Sequence, residues 1–322
     1  MKQGWIWCVA FFVLGPSLIL VNSHVFNRVH YRYPVLFSSL GIWGTALVSQ
    51  LLHRSGLVVV RRKISFEFWL RKVVPIGLLS AACIGSGNAV YLHLSVSFTQ
   101  MLKALTPVYI LMCLVVFGVE IPRAKVVLAV IVISLGTVVA SLGEVRFSWT
   151  GFLLQSLADF FEGSRLVLLQ IIMTDDALSP VESMFFTSPA TAVCQLLLVL
   201  VYEEAALTNS KSWEIAAANW PVFVLATLLG VAINFVGVFV IKQTSGLMLK
   251  LLGVIRNNCL VIFSVVFMGE ATTALQMTGY VLSVAGFVWY TNLTQASKKA
   301  CDRIVQKREY TRVIDQEAMD EL

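Results

Sequence analysis

The chain has 322 residues, of which 58% are hydrophobic and 13% charged, and its formal net charge is +6. Soluble proteins run about 45–50% apolar and about 25% charged, so a soluble enzyme, a disordered tail protein and a nucleic-acid binder built on basic patches are excluded. The mean hydropathy of +0.82 comes from long apolar runs, each near the roughly 20 residues that a bilayer span requires.

In chain order, these runs predict spans over 5–22, 34–52, 73–94, 98–118, 124–143, 150–172, 181–202, 219–240, 247–268 and 274–294. The first run follows a Lys but shows no small-residue cleavage site after Val21, so it reads as a span and not as a signal peptide. The 53–72 loop carries Arg54, Arg61, Arg62, Lys63, Arg71 and Lys72. With both termini in the cytosol, these join Lys2, Arg123, Lys125, Lys242 and the six basic residues between Lys298 and Arg312 on the cytosolic side. That makes sixteen, against four on the other side (Arg28, Arg32, Arg146 and Lys211). The bias follows the positive-inside rule and requires an even number of spans. The tail, 296–322, is charged and mixed in sign, and reads as a short helix or as disordered. Asn292-Leu293-Thr294 matches a glycosylation sequon but falls at the cytosolic end of the last span, where no sugar is expected.

The two halves are alike. Gly85-x-x-Asn88 leads to Ser97-Phe-Thr-Gln-Met-Leu-Lys103, and Gly230-x-x-x-Asn234 leads to Thr244-Ser-Gly-Leu-Met-Leu-Lys250. The segments that follow end alike, in Val115-Val-Phe-Gly-Val-Glu120 and Val265-Val-Phe-Met-Gly-Glu270. Five spans per half is an odd number, so the second copy enters the membrane inverted. Secondary transporters built this way bind substrate near the midplane between the halves. The predicted fold is therefore an all-α integral membrane protein of ten transmembrane helices in two inverted five-helix repeats. The repeats span 1–148 and 149–295, and a cytosolic tail follows over 296–322.

Six charges lie inside the predicted spans: Lys103, Arg165, Lys250, Arg256, Asp159 and Glu162. A charge at the bilayer centre costs at least about 2.5–3.5 kcal/mol, so such residues usually face an aqueous cavity and work there. Ser97, Gln100 and Lys103 share one helix face, and Pro107 can free a carbonyl in the turn before it. Arg256 stands mid-span in Gly253-Val-Ile-Arg256-Asn257-Asn258, where it is hard to explain as packing. Lys103 and Arg256 come from equivalent spans of the two halves and can converge on one anion. Arg grips a phosphate with two donors and Lys acts as a point charge. The alternative for both is an internal ion pair with Asp159 or Glu162. Asp159, Glu162 and Arg165 lie at i, i+3 and i+6 and read either as a gating network or, for Arg165, as a substrate contact. Lys250, near the cytosolic end, reads as part of that network or as a snorkelling side chain. Asn88, Tyr91, Asn234 and Tyr290 are candidates to hydrogen-bond or stack on a ligand, and His93 reads as a polar residue at a span end. The six Cys and four His show no metal-ligand spacing, and no cofactor pattern is present.

Three stretches carry a resemblance. They are Ser95-Val-Ser-Phe-Thr-Gln-Met-Leu-Lys-Ala-Leu-Thr-Pro107, Gly143-Glu-x-x-Phe147 through Gly151 to Glu162-x-x-Arg165-Leu-Val-Leu-Leu-Gln170, and Thr244-Ser-Gly-Leu-x-Leu-x-x-x-Gly253-x-x-Arg256 with Gly279-Tyr280. The chain resembles the triose-phosphate translocator/nucleotide-sugar transporter group of the drug/metabolite transporter superfamily. The resemblance implies antiport of a nucleotide sugar, or of another sugar phosphate or organic phosphate, against a nucleoside monophosphate or phosphate. It implies no enzymatic activity, a site that includes Lys103, and a Golgi membrane, with the endoplasmic reticulum second. A homodimer is compatible with it, and the expected partners otherwise are membrane lipid and no nucleic acid. Two features depart from the pattern. The family usually has Lys where this chain has Arg256, and plastid members follow with an Arg where this chain has Asn257. No plastid transit peptide is seen. The alternatives are a carrier of the same fold for a non-phosphorylated metabolite and a plastid-type triose-phosphate/phosphate translocator.

Overall fold

The computed structural model describes residues 2–56, 60, 64–90, 93–94, 99, 102–103, 105–119, 122–140, 148–174, 176, 178–256, 275, 278–279 and 281–293. Their regular structure is helical. Helix α1 is Lys2–Asn27, α2 is Pro34–Arg54, α4 is Thr106–Val116, α5 is Ala124–Ala140, α6 is Trp149–Thr174 and α7 is Pro180–Tyr202. Between α2 and α4, α3 runs without a break over Phe66–Val90. Two short helices, α8 (Glu204–Thr208) and α9 (Ser210–Ala218), lead into α10 (Trp220–Gln243). Helix α11 covers 246–256, and α12 is Val281–Leu293.

Five of these, Ile6–Phe26 within α1 together with α2, α3, α7 and α10, are long and apolar enough to cross a membrane. The protein is a helical membrane protein. Helix α6 has 26 residues, and its apolar length is broken by Asp159, Glu162 and Arg165. The expected spans 98–118 and 247–268 fall partly outside the described residues.

Local chemistry sets the helix ends. Helix α3 starts seven residues before the expected Val73. The Ser65 side chain caps it by accepting from the Phe68 amide, and a π-helical turn over Trp69–Val73 follows. That turn ends two residues before Pro75, which has no amide hydrogen to give the carbonyl four residues back. Helix α7 begins with a full capping box: Ser179 accepts from the Glu182 amide while Glu182 accepts from the Ser179 amide. The N-terminus of α2 is covered from a distance. The carboxylate of Glu203, just after α7, accepts from the amides of Val35 and Leu36 at 2.9 and 2.8 Å. Nearby, Tyr31 is buried against Tyr33, Phe37 and Phe223. Burial, then the Glu203 charge and then Tyr33, push its phenol up to about 12.

The packing is paired. Helix α3 lies against α6 and α7, α10 lies against α1 and α2, and α2 lies against α7. Small residues bring the α2–α10 seam together. A Cβ on Gly230 would sit 2.7 Å from the Gly41 Cα, and one on Gly44 would sit 2.8 Å from a Thr227 methyl. Backbones this close exclude any side chain between them.

Two glycine substitutions separate contact from propensity. Gly230→Ala forces two backbones apart, and overpacking of this kind costs about 1–3 kcal/mol. Gly87, in α3, has nothing within 4 Å of an added Cβ, so Gly87→Ala is neutral or gains up to about 1 kcal/mol of helix propensity. Thermal unfolding in detergent is expected to show a lower midpoint for the first variant and no fall for the second.

Candidate functional site

Helices α1, α2, α3, α6, α7, α10 and α11 together enclose a cavity of about 270 Å³. Each contributes through one face. Leu169, Leu166, Arg165 and Glu162 come from α6 at helical spacing, and Thr187, Ser188 and Thr191 from α7. Ser80 comes from α3, Asn234 and Gly237 from α10, and Lys250, Gly253 and Arg256 from α11. Among the described residues the wall therefore carries three cations (Arg165, Lys250, Arg256) and one carboxylate (Glu162). The excess is two positive charges.

Glu162 is the hub. The Arg165 guanidinium grips it with two parallel bonds, Nε to Oε2 at 2.9 Å and Nη2 to Oε1 at 2.9 Å. Lys250 Nζ, from α11, reaches the same Oε1 at 2.7 Å. The Cys83 thiol of α3 donates to Oε2 at 3.8 Å. One carboxylate thus ties α3, α6 and α11 together. The Lys250 and Arg165 side chains stay 33% and 26% exposed, against 14% for Glu162, so the cations face the open space. A snorkelling role for Lys250 is replaced by this inward pairing. Glu162 and Arg165 pair within one helical turn, as their i, i+3 spacing allows.

Arg256 lies over the Phe11 ring, 5.5 Å from its centroid. Its guanidinium also rests on Gly15: a methyl there would overlap Nη1. Gly15 and Phe11 position the arginine, and neither stands out in the sequence as a site residue. The one signal is Gly15-Pro16, a small residue beside a helix-breaking one inside an apolar run.

Asn234 is on the cavity wall, and its amide also donates to Thr45 Oγ1 at 3.1 Å and to Gly41 O at 3.5 Å, bridging α10 to α2. Asp159 is buried one turn before Glu162, off the cavity wall. Thr106 Oγ1 donates to it at 2.8 Å and Gln155 Nε2 at 3.0 Å. Lys103 sits on the approach to α4, where its carbonyl accepts from the same Thr106 hydroxyl at 2.6 Å. Lys103 is not among the residues that line the cavity. Asn88 is half-buried in the last turn of α3, and Tyr290 is buried in the main apolar cluster. Tyr91, Gln100 and Asn257 lie outside the described residues.

Chemically, the cavity can hold an anion on a planar donor fork and two further cations, beside a neutral polar wall on α7. A sequence profile of the Triose-phosphate Transporter family matches residues 3–291. The chain belongs to that family. Two probable sugar phosphate/phosphate translocators of Arabidopsis thaliana are similar to it. One is 31% identical, covering 92% of this chain and 79% of the relative, and the other is 32% identical, covering 92% and 81%. UDP-galactose/UDP-glucose transporter 7 of the same plant is 26% identical over 91% of this chain and 90% of its own. A crystal structure 18% identical shares the fold with a TM-score of 0.66, covering 92% of this chain and 99% of that one.

The hub makes a prediction for this triose-phosphate transporter family member. Glu162→Gln leaves Lys250 and Arg165 facing each other without their carboxylate. Removing one partner of a fully buried pair costs about 3–5 kcal/mol. Here the cavity exposure of both cations reduces the cost. The unfolding midpoint of the variant should fall, and millimolar inorganic phosphate should restore more of it than in the wild type. Equal phosphate responses would show that the anion does not replace Glu162.

Proposed function

We propose that the protein is a secondary antiporter. It exchanges a phosphorylated sugar, either a sugar phosphate or a nucleotide sugar, for a nucleoside monophosphate or inorganic phosphate by alternating access. The observation that carries the reading is the convergence of Arg165, Lys250 and Arg256 on one cavity whose described wall holds a single carboxylate. A wall of this charge is costly to leave empty in a low dielectric and is neutralised by a phosphate dianion. Arg256 and Arg165 supply planar donor forks, Lys250 supplies charge on the wall and Lys103 adds charge from beyond it, and Asn234 with the α7 hydroxyls faces the uncharged part of the substrate. Asn88, Tyr91, Gln100, Asn257 and Tyr290 remain assigned to the substrate's path. The names of the relatives, sugar phosphate/phosphate translocators and a UDP-sugar transporter, support the substrate class.

The proposed frame has ten spans in two inverted five-helix repeats, 1–148 and 149–295, with both termini and the 296–322 tail cytosolic. The pairing of helices supports it. If α1–α5 correspond to α6, α7, α10, α11 and α12, then α3 against α6 and α7 mirrors α10 against α1 and α2. The α2–α7 contact maps onto itself. Arg256 of α11 against Phe11 and Gly15 of α1 mirrors α4 against α6. We place the protein in the Golgi membrane, with the endoplasmic reticulum as the alternative.

A cycle that reorients only when the cations are covered requires strict exchange. Proteoliposomes loaded with inorganic phosphate or UMP should take up labelled substrate, and empty ones should not; equal uptake sinks the antiport reading. A panel of glucose 6-phosphate, triose phosphate, UDP-glucose and GDP-mannose separates the substrate classes. Arg256→Ala and Lys103→Ala should each lower exchange by at least about tenfold, the worth of a lost charged hydrogen bond. Arg256→Lys should fall between, because it keeps the charge and loses the fork.

A further inference from the structure

Asp159 is a buried charge that the cavity does not use directly. It is 5% exposed. Two neutral donors bond it, the Thr106 hydroxyl and the Gln155 amide. The titratable groups around it come from four directions. Lys103 stands beside Thr106, Lys250 reaches in from α11, Cys83 faces it from α3, and Glu162 follows one turn on along α6. Gln155 holds a second oddity. It is 1% exposed, it donates to Asp159, and its own Oε1 has no hydrogen-bond partner among the described residues. A buried acceptor left in this way is destabilising. A half-turn of that amide brings Oε1 to the place from which Nε2 now donates, where it can accept an O–H from a protonated Asp159.

We propose that Asp159 is a proton site coupled to the cavity: it takes up a proton from solution when an anion occupies the site, and releases it when the anion leaves. The inference rests on the reading of the cavity as a phosphate site. The link is Lys250, which bonds Glu162 on the cavity wall at 2.7 Å, one helical turn along α6 from Asp159. While the cavity is empty, the cations favour the carboxylate. An anion placed among them cancels that field and leaves a desolvated carboxylate to its neutral donors. Such a group gains a proton. The proton goes onto a carboxylate oxygen, the amide of Gln155 turns to accept it, and no other bond changes. By reciprocity, protons then tighten anion binding by the same factor.

The test is the pH dependence of affinity, measured on the full-length protein in detergent. The probes are UDP-glucose, whose diphosphate diester does not titrate near neutral pH, and inorganic phosphate, corrected for its own titration. The wild type should bind more tightly as pH falls, by at most about tenfold per pH unit. Asp159→Asn mimics the protonated acid and can still accept from Thr106 and Gln155. It should behave as the wild type does at its acid limit, with no such slope. Imposing an acid exterior on proteoliposomes should speed uptake by the wild type and not by the variant. Wild type and Asp159→Asn with equal slopes would overturn the proton site alone. Failure of both probes to bind the wild type would remove the anion-site reading and this one together.

Discussion

A fixed surplus of positive charge inside an apolar bundle is the constraint on which the rest depends. Among the described residues, Arg165, Lys250 and Arg256 share one cavity with a single carboxylate. Without Glu162 the cations would repel one another across a space of about 270 Å³. With it, two are drawn to one point and the third is held apart on Phe11 and Gly15. The arrangement is therefore asymmetric: an anchored pair, and a separate fork over an aromatic ring. In the proposed cycle an entering phosphate meets Arg256 on its aromatic rest, and meets Arg165 and Lys250 only in competition with Glu162. On that proposal, competition keeps the site from holding an anion too tightly to release it.

The charges require close, shaped packing around them, and small residues supply it. Gly41 and Gly230 bring α2 and α10 into backbone contact, and Gly15 makes room for the Arg256 guanidinium. Gly77 places α3 against the Ala190 carbonyl of α7. The α2–α10 seam also sets large rings edge to face, Phe37 against Phe223 at 5.2 Å, so the close glycine contact is held in register by aromatic packing. The large buried side chains, such as Ile110, Ile133, Leu166 and Met173, lie within the main apolar cluster, which holds α4, α5 and α6 together.

Much of this is legible in the sequence because a charge in an apolar run is conspicuous. Lys103, Arg165, Lys250, Arg256, Asp159 and Glu162 all stand out, and the spans 150–172, 181–202 and 219–240 match α6, α7 and α10 within about three residues at either end. What periodicity does not carry is which partner each residue meets. Glu162 and Lys250 are separated by a long stretch of chain, and only the fold joins them. Gly15 and Gln155 carry no charge, so their parts in holding Arg256 and Asp159 are invisible to such reasoning. Periodicity reads the start of α3 as a loop because Phe66–Lys72 mixes aromatic and charged residues. A serine cap and a π turn ahead of Pro75 make it helical.

Both ends of the bundle are fastened, and the strengths differ in kind. At one end Lys72 pairs with Asp176 at 2.6 Å, and Lys242 donates to the carbonyls of Met173 and Leu178. At the other, Glu203 closes the N-terminus of α2. The Lys72 side chain is 41% exposed, and pairs at such exposure contribute about 0–1 kcal/mol. Two hydrogen bonds to a carboxylate contribute more, about 1.5–3 kcal/mol each, yet Glu203 binds α2 to the end of α7, elements already packed along their length. Neither fastening is strong enough to decide alone when the bundle opens. The greater resistance is at the centre, where moving α11 past α6 separates Lys250 from the 14%-exposed Glu162. That separation is unfavourable until something else neutralises the lysine. In the proposed cycle, then, the gate is the site itself: the ligand that fills the cavity is also what lets the helices part.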